Sequence, residues 1–160
     1  MYYNPIFLTQ MLLYHIQYII GNEKFKLNRK GEILLVMPTI QHFEMPADDV
    51  DRAQKFYKDV FGWKMQKWSN PENPGKDYWY FETKDDKGNT GIGGGMMKRQ
   101  SPEHTVTNYI TVSSIDKYAS KLEYAGGKVI IPKTKIPDMG FYAVFLDSEN
   151  NMFGLYESNR

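Results

Sequence analysis

The fold is decided by residues 42–65, which read HFEMPADDVDRAQKFYKDVFGWKM. Polar and apolar residues alternate at the start of this stretch, which predicts a strand at 40–45. From Val50 onward the apolar residues recur at intervals of three and four, which predicts an amphipathic helix. Asp48 or Asp49 can cap the start of this helix, and Gly62 can end it.

The same pattern occurs again 65 residues further along, where residues 108–130 read NYITVSSIDKYASKLEYAGGKVI. We predict a strand at 107–112 and a helix that begins near Ser114 and ends at Gly127. Each helix is followed by three strand-like runs, at 64–68, 78–83 and 91–97 and then at 128–132, 141–146 and 152–157. The sequence therefore predicts two βαβββ modules, at about 37–98 and 104–160, with a loop at 69–75 in the first module.

These segments, together with YAVFLDSENNMFGLYE at 142–157, resemble the vicinal oxygen chelate superfamily of glyoxalase I and the bleomycin-resistance proteins. The most specific part is D-x-x-R-A-x-x-F-Y-x-x-x-F-G-W at 49–63, and the resemblance covers residues 37–160. It implies an α+β fold in which the two modules form one curved, cup-shaped, eight-stranded mixed sheet. It also implies a ligand inside the cup and a chain that forms a homodimer.

The resemblance to the family does not extend to residues 1–36. The apolar run at 6–20 is too short to span a membrane, since a spanning helix needs about 20 apolar residues. One interpretation is that translation begins at Met37 rather than at Met1. The alternatives are a helix covered by the rest of the protein, and a module that binds a partner through its apolar face.

Composition narrows the classes of partner. The net charge is +1 and there is no long basic run, so we expect neither nucleic acid nor membrane as a partner. The chain has no cysteine, which excludes disulfides, thiolate metal sites and a cysteine nucleophile. We expect a cytoplasmic protein.

The resemblance also implies where a divalent metal ion (Zn, Ni, Fe or Mn) would be held. In the family each module gives one ligand from its first strand, usually His, and one from its last strand, usually Glu. These positions fall on His42, Thr107, Gly154 and, in the first module, near Gly93. Only His42 is a usual ligand, whereas a catalytic zinc site needs three. We therefore expect no metal cofactor, and a non-standard site around His42 is the alternative.

Strand periodicity selects the residues that face the cup. His42 and Glu44 share one face, and we assign them as candidate catalytic residues because Glu44 is placed to raise the pKa of His42. The expected ligand-binding residues on the same face are Thr107, Tyr109, Thr111, Gly93, Gly154 and Tyr156. Glu157 is expected on the opposite face.

Two functions follow from this set of residues. The first is a protein that binds a small molecule in the cup without metal, as the resemblance to bleomycin-resistance proteins implies. The alternative is an enzyme, a lyase or isomerase of the glyoxalase I type, which needs either a metal ion or a base supplied by His42 and Glu44.

Overall fold

The computed structural model describes residues 25–27, 33–35, 38–69 and 77–159. The chain divides into two compact units, Met1–Met37 and Pro38–Arg160. In the first unit, β1 (Phe25–Leu27) pairs with β2 (Ile33–Leu35) in an antiparallel sheet. The predictions for the apolar run at 6–20, for the start of translation and for most of the loop at 69–75 lie outside the described residues.

The second unit contains both predicted βαβββ modules. The first module consists of β3 (Thr39–Ala47), α1 (Val50–Phe61), β4 (Gln66–Ser69), β5 (Asp77–Phe81) and β6 (Gly93–Lys98). The second module consists of β7 (Thr107–Thr111), α2 (Ile115–Tyr124), β8 (Lys128–Ile136), β9 (Gly140–Leu146) and β10 (Met152–Ser158). No helix among the described residues is long and apolar enough to cross a membrane.

The eight strands of the two modules form one mixed sheet in the order β4-β5-β6-β3-β7-β10-β9-β8, curled into a half-barrel. β3 and β6 are parallel, as are β7 and β10, and the other pairs are antiparallel. The modules join between β3 and β7, where Phe43 lies opposite Asn108, its equivalent in the repeat. An approximate twofold axis therefore passes through this junction, and the predicted fold class is confirmed.

The helices begin and end where local chemistry allows. The Asp49 side chain accepts a hydrogen bond from the backbone N–H of Arg52, and Gly62 ends α1 in the left-handed conformation with φ 71°. Ser114 caps α2 in the same way. In addition, the Glu157 carboxylate accepts the N–H of Ile115 at 2.7 Å, so β10 helps to fix the start of α2.

Each helix covers an apolar cluster on the outer face of the sheet. Buried residues of the first cluster come from β3, β5 and β6, and those of the second from α2, β9, β10 and the residue that follows β7: Met45, Ala47, Phe81 and Met96, then Val112, Ile115, Ala143, Phe145 and Leu155. Because side chains alternate along a strand, the residues between these core positions point to the concave face.

Candidate functional site

Two residues of the central strand β3 point to the concave face. His42 lies opposite Gly93 of β6 and Tyr109 of β7, and Glu44 lies opposite Gly95 and Thr107. Both modules therefore contribute neighbours to this pair. The alternation that predicted a shared face for His42 and Glu44 agrees with the register of β3.

Four side chains on this face form one hydrogen-bonded group, which we call the concave cluster: His42, Glu44, Tyr78 and Tyr109. The Tyr109 hydroxyl donates to Glu44 Oε2 at 2.8 Å. The Tyr78 hydroxyl is hydrogen-bonded to the same carboxylate and lies 2.7 Å from His42 Nε2. The tautomer of the imidazole sets which of the two groups donates in the His42–Tyr78 hydrogen bond. The result is a continuous chain of hydrogen bonds from His42 to Tyr109.

Glycines make room for the two tyrosine rings. A Cβ on Gly154 would lie 2.3 Å from the Tyr109 ring, and a Cβ on Gly95 would lie 1.8 Å from the Tyr78 hydroxyl. Any other residue at these positions would displace the ring above it. Gly95 lies opposite Glu44 just as Gly154 lies opposite Tyr109, so register makes these two glycines equivalent.

This register corrects the sequence alignment of the last strands. Gly93, which was expected to match Gly154, instead lies opposite His42 and corresponds to Met152 in the second module. The residues between the first and last strands differ in number in the two modules. The 65-residue offset of the helices therefore does not hold for the last strands, and the expected position near Gly93 lies two residues before the true match, Gly95.

Burial dominates the electrostatics of the cluster. It raises the pKa of Glu44, although hydrogen bonds from Tyr109 and Tyr78 act in the opposite direction. It lowers the pKa of His42. The expectation that Glu44 raises the pKa of His42 is wrong, because the imidazole is desolvated and its hydrogen-bond partner is Tyr78. Burial and the charge of Glu44 raise the pKa of both tyrosines, which therefore remain hydrogen-bond donors.

Of the other expected ligand-binding residues, Gly93 and Thr107 lie opposite His42 and Glu44, whereas Thr111 and Tyr156 lie further along β7 and β10. Thr107 is 3 % exposed, and its hydroxyl donates to the Thr105 carbonyl. Thr111 is half-buried next to Tyr156 in the register, and the Tyr156 hydroxyl donates to the carbonyl of Met139 at 2.8 Å. The structure thus brings together His42, Glu44, Tyr109 and Gly154, and leaves Thr111 and Tyr156 at the periphery.

Sequence reasoning missed Tyr78 and Gly95. Their contact depends on how β5 pairs with β6, which no local pattern specifies. One sequence pattern could have indicated this contact. A glycine inside a strand, such as Gly95, often lies under an aromatic ring from a neighbouring strand, such as that of Tyr78. Glu157, in contrast, lies on the helix side as expected, where it also contacts Lys133 Nζ at 2.9 Å.

The cluster does not fit the divalent metal ion that the family implies. Among residues 38–69 and 77–159, no three His, Asp or Glu side chains are close enough to hold a metal ion together. His42 and Glu44 are the only such side chains in the cluster, and both are hydrogen-bonded to tyrosines whose raised pKa keeps them protonated. The remaining family positions carry threonine or glycine, which supply no suitable side-chain donor set.

A cavity of about 370 Å³ lies elsewhere, between β3 and the start of α1. Its lining includes the core residues Met45 and Met96 and the charged residues Asp49 and Arg52. It contains no member of the concave cluster. We therefore place the candidate site at the cluster, where titratable groups from both modules meet.

Comparison with known proteins agrees with this fold. The sequence model of the Glyoxalase/Bleomycin resistance protein/Dioxygenase superfamily matches residues 39–155. A glyoxylase-like domain-containing protein of Didymella fabae is 30% identical over 115 residues, which cover 70% of this chain and 88% of that protein. Two Mycobacterium relatives are 28% identical over 120 residues, and the chain spans 44% of their length.

Among solved structures, a variant of Streptomyces coelicolor methylmalonyl-CoA epimerase in complex with 2-nitronate-propionyl-CoA superimposes with a TM-score of 0.58. The alignment covers 78% of this chain and all of the epimerase, at 15% identity, which is evidence of a shared fold. With a family match over most of its length, this chain belongs to the glyoxalase/bleomycin resistance protein/dioxygenase superfamily.

Proposed function

We propose that this chain binds a small organic molecule on the concave face of the sheet, against the concave cluster, without a metal ion. The observation that carries the proposal is Glu44, a half-buried carboxyl group on the central strand β3. A buried carboxylate destabilises a fold unless its partners compensate, so such a group is more often found where a ligand is bound. Family membership supports a ligand at this place.

Each member of the cluster has a role in this proposal. Glu44 accepts a hydrogen bond from the ligand, since a carboxylate has about four acceptor sites and the two tyrosine hydroxyls use two. Tyr109 and Tyr78 hold the carboxylate in place. His42 borders the same space, with its ring centroid 5.9 Å from that of Tyr109. Tyr156 and Thr111 border the ligand at the periphery.

The test is a thermal-shift screen of small molecules on the full chain, with Glu44→Gln and the exposed Glu149→Gln as matched variants. A ligand at about 100 times its Kd stabilises the native state by about 2.7 kcal/mol. We expect hits whose shift is lost in Glu44→Gln and retained in Glu149→Gln. Hits that stabilise both variants equally would contradict a site at the cluster.

Elemental analysis tests the metal-free part of the proposal. The protein should be purified without an affinity tag, so that the tag cannot supply ligands. We expect much less than one equivalent of Zn, Ni, Fe or Mn per chain. One full equivalent that is lost in His42→Ala would contradict the proposal and favour a metal-dependent lyase or isomerase.

A second candidate function is proton transfer by an enzyme that uses no metal. The specific observation is the chain of hydrogen bonds from His42 through Tyr78 to Glu44, in which the pKa of the acid is raised and that of the base is lowered. Such opposed shifts bring two groups closer in proton affinity, which favours exchange between them. His42→Ala should abolish conversion of a bound molecule in an enzyme, and only weaken binding in a binding protein.

A further inference from the structure

We infer that the molecule bound at the concave cluster is an organic cation, with an ammonium or amidinium group directed at Glu44 and an apolar or aromatic body beside it. This inference rests on the proposed function and adds the charge class of the ligand.

The distribution of charge on the sheet is the first argument. On β3, β5, β6, β7, β9 and β10, the positions that face the concave side include no Lys or Arg. Lys98 bonds the backbone carbonyl of Asp48, and Lys133 binds Asp116 and Glu157 beside α2. Lys128 lies opposite Leu146 on the edge strand β8, at the far side of the sheet from β3. Glu44 is therefore the one carboxylate on these concave positions and has no cationic partner there.

The surroundings of this carboxylate are the second argument. Its immediate neighbours are aromatic rings, those of Tyr78, Tyr109 and His42, and the two hydroxyls donate hydrogen bonds without supplying charge. An ammonium group next to Glu44 would gain Coulomb energy that burial strengthens, and the rings would add cation–π attraction. An anion at the same place would meet a buried like charge with no compensating cation.

Burial also explains why a cation is preferred to a neutral molecule. The pKa of Glu44 is raised because its position in the sheet partly desolvates the carboxylate. A ligand with a positive charge favours the ionised form and gains from it, whereas a neutral ligand leaves the cost of desolvation in place.

Three indole probes of the same shape test the inference: tryptamine, tryptophol and indole-3-propionate, which carry a positive, a neutral and a negative group. Each is titrated into the full chain and followed by ¹H–¹⁵N NMR, at neutral pH and millimolar concentration. We expect tryptamine to shift signals of Glu44 and Tyr109, with a Kd lower than that of tryptophol by about tenfold or more. Glu44→Gln should remove this difference, and Glu149→Gln should keep it.

The outcomes separate the charge class from the proposed function. If indole-3-propionate or tryptophol shifts the cluster signals at least as strongly as tryptamine does, the cation inference is wrong, whereas a ligand site at the cluster stands. If Glu44→Gln is folded and keeps the preference for tryptamine, Glu44 is not its source and the inference also fails. If no probe shifts these signals, the inference is overturned, and the library screen decides the proposed function independently.

Discussion

The most direct test of the geometry at the concave cluster is Gly154→Ala. A Cβ at this position would lie 2.3 Å from both Cδ1 and Cε1 of Tyr109 and 2.9 Å from its Cγ. Carbon atoms in contact are about 3.5–4.0 Å apart, so the ring has to move by more than about 1 Å. Because Tyr109 pairs with β3 on one side and β10 on the other, its backbone cannot follow. The side chain therefore rotates and loses its hydrogen bond to Glu44.

The expected cost follows from these two events. Overpacking a filled site destabilises a protein by about 1–3 kcal/mol. A lost hydrogen bond to a charged group costs about 1.5–3 kcal/mol, part of which Tyr78 offsets by remaining bonded to Glu44. We expect a total of about 3 kcal/mol, which for a chain of this size lowers Tm by about 6–12 °C.

A double-mutant cycle with Tyr109→Ala isolates the cause. Urea unfolding followed by tryptophan fluorescence measures the free energy of unfolding of all four proteins. In the Tyr109→Ala background the new methyl group has space, so Gly154→Ala should cost less than about 1 kcal/mol there. An equal cost in both backgrounds would refute the argument that the ring and the glycine are matched.

Three further predictions concern the carboxyl groups. The raised pKa of Glu44 means that the native state binds more protons than the unfolded state above pH 4.5, so wild-type stability falls as pH rises through the raised pKa. Glu44→Gln removes this loss. Urea unfolding from about pH 4.5 to about pH 8 should therefore show that the free energy of unfolding of the variant, relative to wild type, increases with pH. A difference in unfolding free energy that does not depend on pH would contradict the burial argument. Tyr109→Phe removes a hydrogen bond that lowers the pKa of Glu44, so ¹³C NMR titration should report a still higher pKa, and an unchanged value would mean that the bond is absent in solution. Glu157→Ala leaves the N–H of Ile115 without its carboxylate partner and should lower the free energy of unfolding by about 1–3 kcal/mol in thermal unfolding. Glu157→Gln keeps an acceptor and should lower it less. Equal losses in the two variants would argue against this capping role.

Periodicity in the sequence predicted most of the fold. The limits of α1 follow from Asp49 and Gly62, which act through local geometry and can be recognised without tertiary structure. The extent of β8 could not be predicted in this way. The strand predicted at 128–132 continues in the structure to Ile136, past Pro132, because β8 is an edge strand whose outer side needs no N–H donors.

The site was predictable only in part. Alternation along β3 and β7 placed His42, Glu44 and Tyr109 on one face, and the structure agrees. The partners that complete the cluster, Tyr78 and Gly95, depend on the pairing of β5 with β6, which involves residues far apart in the sequence. Packing across the whole sheet specifies the register between strands that are distant in the sequence, and a short stretch of sequence does not predict it.

The approximate twofold axis at the β3–β7 junction gives Glu44 and Tyr109 the same position in the two modules, and these two residues bond to each other across the axis. Two glutamates there would place like charges side by side, and two tyrosines would leave the centre without charge. The difference between Glu44 and Tyr109 therefore makes the symmetric scaffold asymmetric in charge at its centre. A ligand that lies across the axis would contact a carboxyl group on one side and a phenol on the other, so the protein would distinguish the two ends of the ligand.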